Sequence, residues 1–354
     1  MKLLIAAGGT GGHIFPGLAV AEAFTAGQGR EACFAGTPYG LEERLIPSAG
    51  YRLVIVEARP FSGTSPLVKA RTVIAVLQGI LQARRVIRAE RPDAVLGMGG
   101  FTSVPVVLAG LLLRVPCFIH EQNVYPGMAN KLLTARVKAA FVSFAETELH
   151  LKARQVVHTG MPIRKAVLGT RAEKKDGPFT LFVFGGSRGA KRINDGILEL
   201  LPYLEGSGPT ALYHQTGASD YSRVAAAYNG SALIHEVFPF TDRMEKYYNL
   251  ADVVVSRAGA STIFELSYFR RPAIFVPYPH AAGAHQWKNA SYVERIGGAY
   301  VIGNSELSGE RLYRTVTQLR ENPGELARMG TNIGTIYVED AAGKVIRGIE
   351  AGVS

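Results

Sequence analysis

Cysteine is nearly absent from this 354-residue chain: Cys33 and Cys117 stand far apart, without C-x-x-C spacing. That scarcity excludes a disulfide framework and a thiolate metal site, and both read as reduced, buried thiols of a cytosolic protein. Long apolar runs are missing too. The best uncharged stretches, Val104–Leu113 and Thr72–Ala83, are ten and twelve residues long, against the ~20 needed to span a bilayer. At the N-terminus only Leu3–Ala7 precedes glycine-rich sequence, too short for a signal-peptide core. Aspartate is scarce, at seven, with no two at i,i+2, and the eight histidines come no nearer to a ligand pair than His280 and His285. No metal and no cofactor are therefore expected.

What is present is a chain with 47% hydrophobic and 19% charged residues, and a mean hydropathy of +0.10. Intrinsic disorder is excluded, and the length suits two domains. Forty glycines, well above the usual ~7%, point to tight turns between strands and helices. Charge is uneven. Residues 1–164 hold 18 basic and 10 acidic residues, net +8, whereas 165–354 hold 21 and 19, net +2. A basic first half points to a polyanionic partner: nucleic acid, a phosphorylated substrate or an anionic membrane. Nucleic acid is disfavoured, because no aromatic-rich basic surface or nucleic-acid fold signature occurs.

Short apolar runs alternate with helix-periodic stretches, the pattern of a parallel sheet covered by helices. Leu3–Ala7, Leu53–Val56, Ala94–Leu96, Pro116–His120 and Ala139–Ser143 read as strands of a first domain. Thr180–Phe184, Ala211–Gln215, Leu233–Val237, Val253–Ser256 and Ala273–Pro277 read as strands of a second. The non-helical stretch His158–Lys165 marks the junction. The expected division is 1–160, 161–335, and a C-terminal helix in 336–354 that returns to the first domain. One internal echo matters: the strand before Gly8-Gly9-Thr10-Gly11-Gly12 resembles the strand before Gly185-Gly186-Ser187-Arg188-Gly189. Each is followed by a helix, so the chain reads as two related doubly wound α/β units with a cleft between them and ligands at the carboxyl edges of the strands.

A glycine-rich bend opening a helix offers unpaired backbone N–H groups and the positive helix end to an anion. Neither turn matches the dinucleotide or P-loop fingerprint, so the pair reads as phosphate-binding without either class of ligand. His13 closes the first turn and suits a general base, or a histidine satisfied by backbone. His120-Glu121-Gln122-Asn123 sits at another carboxyl edge and suits sugar hydroxyls, orientation of His13, or a self-satisfied polar loop. Thr262 and Glu265 form a capping-box pattern that explains both residues structurally; the functional alternative places Glu265 on a vicinal diol. A transferase of activated sugars must neutralise a leaving diphosphate, and without a D-x-D clamp that would fall to helix N-termini and to Arg164 or Arg188. Leu67–Arg91 reads as a helix with a wide apolar face of Val73, Ile74, Val76, Leu77, Ile80, Leu81 and Ile87, rimmed by Lys69, Arg71, Arg84, Arg85, Arg88 and Arg91. Such a face suits anionic lipid or full burial, and the basic half favours lipid.

Together Gly8–Gly17 (GGTGGHIFPG), His120–Asn123 with Gly127 and Asn130, Gly160–Arg164 (GMPIR), Gly185–Ala190 (GGSRGA), His214–Gly217 (HQTG), and the AGAST…E and HQWKNA stretches resemble the MurG family. The match is collinear over nearly the whole chain. The family is that of the peptidoglycan N-acetylglucosaminyltransferases that convert lipid I to lipid II. The resemblance implies an α/β GT-B fold of two Rossmann-like domains, and an inverting transfer from UDP-N-acetylglucosamine to undecaprenyl-pyrophosphate-linked N-acetylmuramoyl-pentapeptide. His13 would be the base, alone or with Glu121. The donor would meet Thr10, Gly11, Gly12, Asn123, Arg164, Ser187, Phe240, Thr241, Ala260, Ser261, Thr262, Ile263, Phe264, Glu265, His285 and Gln286. The acceptor diphosphate would meet Gly9, Asn130 and Arg188.

The resemblance further implies a peripheral enzyme at the cytoplasmic face of a bacterial membrane, touching it through Lys69, Val73, Ile74, Leu77, Ile80, Leu81, Arg84 and Arg85, with other cell-wall synthesis proteins as further partners. The sequence departs from the family pattern at Met161, Arg188, Ala258 and His285. A UDP-N-acetylglucosamine 2-epimerase or another lipid glycosyltransferase of the same fold is the alternative reading.

Overall fold

Strands apolar at every position suit burial on both faces, and Ala94–Gly97, Ala139–Val142 and Ala273–Phe275 are buried throughout. The computed structural model describes residues 1–58, 66–174, 176–186 and 189–353, with the side chains of 66–73 outside that description. The chain divides into two units, Met1–Lys165 with Val338–Ser354, and Ala166–Tyr337. It crosses between them a few residues later than the sequence suggests, so Arg164 belongs to the first unit.

In the first unit, β1 (Lys2–Ala6), β2 (Glu31–Gly36), β3 (Arg52–Ile55), β4 (Ala94–Gly97), β5 (Cys117–Glu121), β6 (Ala139–Val142) and β7 (Val156–His158) form a sheet in the order β3-β2-β1-β4-β5-β6-β7, and every pair is parallel. Side chains alternate across it. Leu3 and Ile5 meet Phe24, Phe34, Phe118 and Phe141 on one face. Leu4 and Ala6 meet Val95, Val107, Ile119 and Ile87 on the other. The crossover helices are α1 (Gly11–Thr25), α2 (Glu42–Ser48), α3 (Pro66–Glu90), α4 (Gly100–Leu112) and α5 (Met128–Leu133).

The second unit repeats the plan. Its strands β8 (Phe179–Phe184), β9 (Thr210–Gln215), β10 (Ile234–Phe238), β11 (Val253–Ser256), β12 (Ala273–Phe275) and β13 (Ala299–Val301) are ordered β10-β9-β8-β11-β12-β13. Again every pair is parallel. Its helices are α6 (Lys191–Leu204), α7 (Tyr221–Ala227), α8 (Met244–Leu250), α9 (Ala260–Phe269), α10 (His285–Arg295), α11 (Gly309–Glu321) and α12 (Pro323–Gly334). One face of this sheet packs Leu181 and Val183 in a core with Ile193 and Ile197 of α6 and Leu312, Val316 and Leu319 of α11. The other carries a ring cluster of Phe182, Phe184, Tyr247, Tyr248 and Phe269.

Both sheets reverse direction beside their first strand, between β1 and β4 and between β8 and β11. That reversal is the switch point at which a doubly wound sheet opens a ligand crevice at its carboxyl edge. Both glycine turns leave from there.

The strands the sequence left unassigned, β2, β7 and β13, have plain reasons. β2 is EACFAG, where small residues weaken the apolar signal. β7 and β13 are three residues each, too short for any period to register. The last helix, α13 (Ala341–Val353), lies in the first unit, with Val345, Ile346 and Ile349 in the same core as Leu3 and Phe141. It comes close because Gly348 and Gly352 face rings: a Cβ on them would stand 2.4 Å from Phe141 and 2.7 Å from Phe118. Ile349→Ala is therefore expected to destabilise the first unit by about 2–5 kcal/mol, read from denaturant unfolding; an unchanged midpoint would contradict this packing.

Candidate functional site

The first unit gathers its polar residues at the carboxyl edge of β1, β4 and β5. Thr10, in extended conformation, is the N-cap of α1, and its carbonyl accepts the N–H groups of His13 and Ile14. The first-turn N–H groups of Gly11 and Gly12 then have no acceptor within the helix. His13 Nδ1 lies 3.4 Å from Thr10 Oγ1. Its ring rests on the start of α4, where Gly99 and Gly100 adopt φ of +87° and +72°. A Cβ at Gly99 would stand 3.3 Å from His13 Nε2 and 3.5 Å from Asn130 Nδ2, so the imidazole and the Asn130 amide meet over one glycine. Phe15 packs on Gly11, and the Arg164 guanidinium lies 4.8 Å above the Phe15 ring.

Glu121 ends β5, buried. Its carboxylate accepts N–H bonds from the backbone and side chain of Asn123 (2.9 and 3.1 Å), from Gly127 (2.9 Å) and from Asn130 (2.8 Å). Those four bonds brace the loop into α5, which gives Glu121 a positioning task. They also commit the Asn123 backbone N–H and its side-chain amide to the brace. Asn130 donates to the His120 carbonyl as well, at 3.1 Å, while its Oδ1 is buried without a partner. His120 is fully buried between the Gly160 carbonyl (3.2 Å at Nε2) and the Gln122 amide (3.2 Å at Nδ1). Burial pushes its pKa down to about 4. A neutral ring then donates to Gly160 and accepts from Gln122, which makes His120 a structural histidine and leaves His13 as the accessible one.

Sequence reasoning missed Glu42. It sits at the first residue of α2, fully buried, and accepts from Gly9 N (2.9 Å), Thr37 N (3.1 Å) and Thr37 Oγ1 (2.6 Å). Gly8, Gly36 and Gly40 crowd round it, each with less than 3 Å between a notional Cβ and the Glu42 side chain. Gly9 N–H, assigned from the resemblance to an acceptor diphosphate, is thereby spent on Glu42. The available signal was a lone carboxylate among glycines just beyond a strand end.

In the second unit the rim runs over β9, β8, β11 and β12. Ser187 and Arg188 lie outside the described residues. Gly189 has φ +75°, and a Cβ there would stand 2.1 Å from the Thr216 carbonyl; only glycine permits that approach. α9 starts at Ala260 with Gly259 as N-cap and no side-chain cap. The expected capping box is absent: Thr262 is the third helical residue, and Glu265 instead accepts from Tyr248 OH at 2.9 Å. The helix begins earlier because Gly259, in extended conformation, supplies the cap and its carbonyl takes Ile263 N–H. Ile263 and Phe264 are fully buried core side chains, so only their backbone could face a ligand. Ser261 Oγ is buried without a hydrogen-bond partner.

Gln286 accepts from Tyr278 N–H at 2.9 Å, and His285 Nδ1 contacts the Ala282 carbonyl at 2.7 Å. Buried Asn289 ties α10 to the Ala258 carbonyl. Phe240 is exposed, whereas Thr241 N–H is taken by Gln215 Oε1 at 3.0 Å, so that one N–H is already spent within the protein. Arg257, also missed from sequence, holds the carbonyls of Val276 and Pro277 and the side chain of Asn304. Buried His214 bridges Tyr228 OH and Asn194 Oδ1, and its pKa is pushed down to about 3 by burial.

On α3, Val76, Ile80, Ala83 and Ile87 face the core, while Ile74, Leu77 and Leu81 are each more than half exposed. The single apolar stripe read from sequence is thus two: Ile80 packs inward, and the outward stripe neighbours exposed Arg85 and Arg88. Arg84 is half-buried. Lys69 and Val73 have side chains outside the described residues. Among the described residues no helix is long and apolar enough to cross a membrane.

His120 and His214 carry a pH consequence. Their folded pKa values lie below the ordinary ~6.5, so the unfolded chain takes up protons first as pH falls. The stability they contribute is complete above about 6.5 and is lost as pH drops toward about 4 for His120 and about 3 for His214. Each is expected to cost roughly 2 kcal/mol at pH 5. Unfolding midpoints between pH 7.5 and 4.5 should fall accordingly, and a flat profile would show the rings to be less buried than described.

Comparison with known proteins agrees with this geometry. Residues 3–142 match the glycosyltransferase family 28 N-terminal domain and residues 180–344 its C-terminal domain. The UDP-N-acetylglucosamine–N-acetylmuramyl-(pentapeptide) pyrophosphoryl-undecaprenol N-acetylglucosamine transferase of Geotalea uraniireducens (strain Rf4) is 43% identical, over 98% of this chain and 97% of that one. The crystal structure of Acinetobacter baumannii MurG superposes with a TM-score of 0.83 at 29% identity, covering 99% of each chain. A UDP-GlcNAc 2-epimerase from Neisseria meningitidis reaches 0.68 at 14% identity, over 99% and 100% of the two chains, a likeness of fold alone. The fold is thus the α/β GT-B fold, and the chain belongs to the MurG family of glycosyltransferases, the N-acetylglucosamine transferases of glycosyltransferase family 28.

Proposed function

We propose that this chain transfers N-acetylglucosamine from UDP-N-acetylglucosamine to the C4 hydroxyl of the N-acetylmuramoyl-pentapeptide of lipid I, inverting the anomeric carbon and forming lipid II. The second unit holds the donor and the first unit the lipid-linked acceptor. The observation that carries the division is the rim at the second unit's switch point. There the N–H groups of the first turn of α9, the unpartnered Ser261 hydroxyl, Glu265 and Gln286 stand above neighbouring strands. Helix N–H groups suit a diphosphate, a carboxylate suits ribose hydroxyls, and an amide suits a sugar.

In the step itself, the acceptor oxygen bonds to C1 of the sugar while the C1–O bond to phosphate breaks and its electron pair leaves with UDP. His13 takes the hydroxyl proton; the Thr10 and Gly99–Gly100 contacts hold its ring at the strand edge. The departing diphosphate is neutralised by backbone N–H groups at the start of α9, without a metal ion. Purified protein given UDP-N-acetylglucosamine and a lipid I analogue should release UDP equally with and without EDTA. His13→Ala should lower turnover by roughly 10²–10⁴-fold while UDP affinity stays within twofold. Loss of activity on chelation, full turnover in the variant, or conversion of the donor to its 2-epimer without acceptor would each overturn a part of this reading.

The first unit also meets the membrane, at the cytoplasmic leaflet where a nucleotide sugar is available. Exposed Ile74, Leu77 and Leu81 beside Arg85 and Arg88 support this. Apolar side chains enter the interface, and each nearby cation adds about 1 kcal/mol on anionic lipid. Sedimentation with phosphatidylglycerol vesicles should exceed that with phosphatidylcholine and weaken with salt. Leu77→Glu with Leu81→Glu should abolish it with turnover on a soluble acceptor unchanged, and undiminished sedimentation of that variant would remove α3 from the contact.

A further inference from the structure

The side chain of Gln215, at the end of β9, is spent at both ends on the second unit's rim. It is 2% exposed. Its Nε2 donates to the carbonyl of Gly186, in the glycine turn after β8, at 3.3 Å. Its Oε1 accepts the N–H of Thr241, in the loop after β10, at 3.0 Å. The two segments lie on opposite sides of β9, and no strand pairing joins them, because β8 and β10 each pair with β9 and not with each other. The chain on either side of this bridge is fastened too. Thr216 N–H and Gly217 N–H donate to the carbonyls of Phe238 and Pro239, and Asn194 on α6 donates to the Thr216 carbonyl at 3.0 Å. Gly189 N–H closes the glycine turn on the Gly186 carbonyl at 3.0 Å, so that carbonyl receives both the turn and Gln215.

We infer that Gln215 is a positioning residue that sets the spacing between the loop at Phe240–Thr241 and the glycine turn at Gly185–Gly186, and thereby selects a ligand long enough to touch both: a nucleoside diphosphate. The inference rests on the donor reading above and adds to it. A carboxamide donates at its nitrogen and accepts at its oxygen, as these two backbone partners require. Its burial keeps both bonds out of competition with water. A ligand that fills only one of the two subsites lets that segment settle by itself. A ligand spanning both needs their separation already correct, so the affinity lost with Gln215 scales with span.

Gln215→Met keeps the volume and removes both bonds. Gln215→Glu keeps the acceptor for Thr241 N–H and turns the end facing the Gly186 carbonyl repulsive. Uridine, UDP and inorganic pyrophosphate are titrated calorimetrically into the wild type and both variants, with steady-state kinetics alongside. In the wild type, UDP should bind more tightly than uridine; absence of UDP binding overturns the donor reading and this inference with it. In Gln215→Met, UDP should weaken at least about fivefold, with uridine and pyrophosphate each within twofold. KM for the nucleotide sugar should rise in step while kcat at saturation holds. Gln215→Glu should weaken UDP further. With wild-type UDP binding intact, unchanged UDP affinity in both variants, equal losses for uridine and UDP, or failure of both variants to fold would overturn the positioning role and leave the donor reading standing.

Discussion

Everything at the two rims depends on backbone N–H groups that a strand-to-helix turn leaves without partners. A parallel sheet delivers each strand's carboxyl end to the same edge, and the next helix begins there with its first N–H groups unpaired. In the first unit those groups belong to the turn at Gly11 and Gly12, and in the second to the start of α9. An anion is the natural complement of such an edge. The protein's task is then to stop its own side chains from occupying the N–H groups the ligand needs.

Buried polar side chains do that work by taking the neighbouring backbone groups instead. Glu42 holds Gly9 and Thr37, Glu121 holds Asn123, Gly127 and Asn130, and Gln215 holds Gly186 and Thr241. Arg257 gathers carbonyls just beyond the end of β12. Each is a polar group whose burial is tolerated because its bonds are made. A few polar atoms beside these braces are buried without a partner, among them the Ser261 hydroxyl and Asn130 Oδ1. Family membership points to sugar transfer from a nucleotide donor.

The glycine turns and the strands they leave were legible in sequence, because continuous apolar runs beside Gly-rich punctuation have one physical meaning in an α/β chain. Strands β2, β7 and β13 were not, since small residues or three-residue lengths carry no period. The helix over Pro66–Glu90 was legible as apolar, but its faces were not. Periodicity counted Ile80 with Leu77 and Leu81, and only packing against α4 turns Ile80 inward. The pattern Thr262…Glu265 suggested a cap, yet Gly259 starts the helix and Glu265 turns to Tyr248.

The amino-acid sequence by itself determined the architecture and the family: alternating apolar strands and helices, two glycine turns after first strands, and collinear motifs from Gly8 to Ala290. These are local properties, fixed by near neighbours and by what a backbone can do without a Cβ. Which polar residues face a ligand and which brace the fold was decided only in three dimensions. Glu121 and His120 lie side by side in one motif, but Glu121 is braced by Gly127 and Asn130 a few residues on, whereas His120 meets Gly160, forty residues away. A hydrogen bond is satisfied by whatever folding brings within about 3 Å, and sequence order carries no measure of that distance.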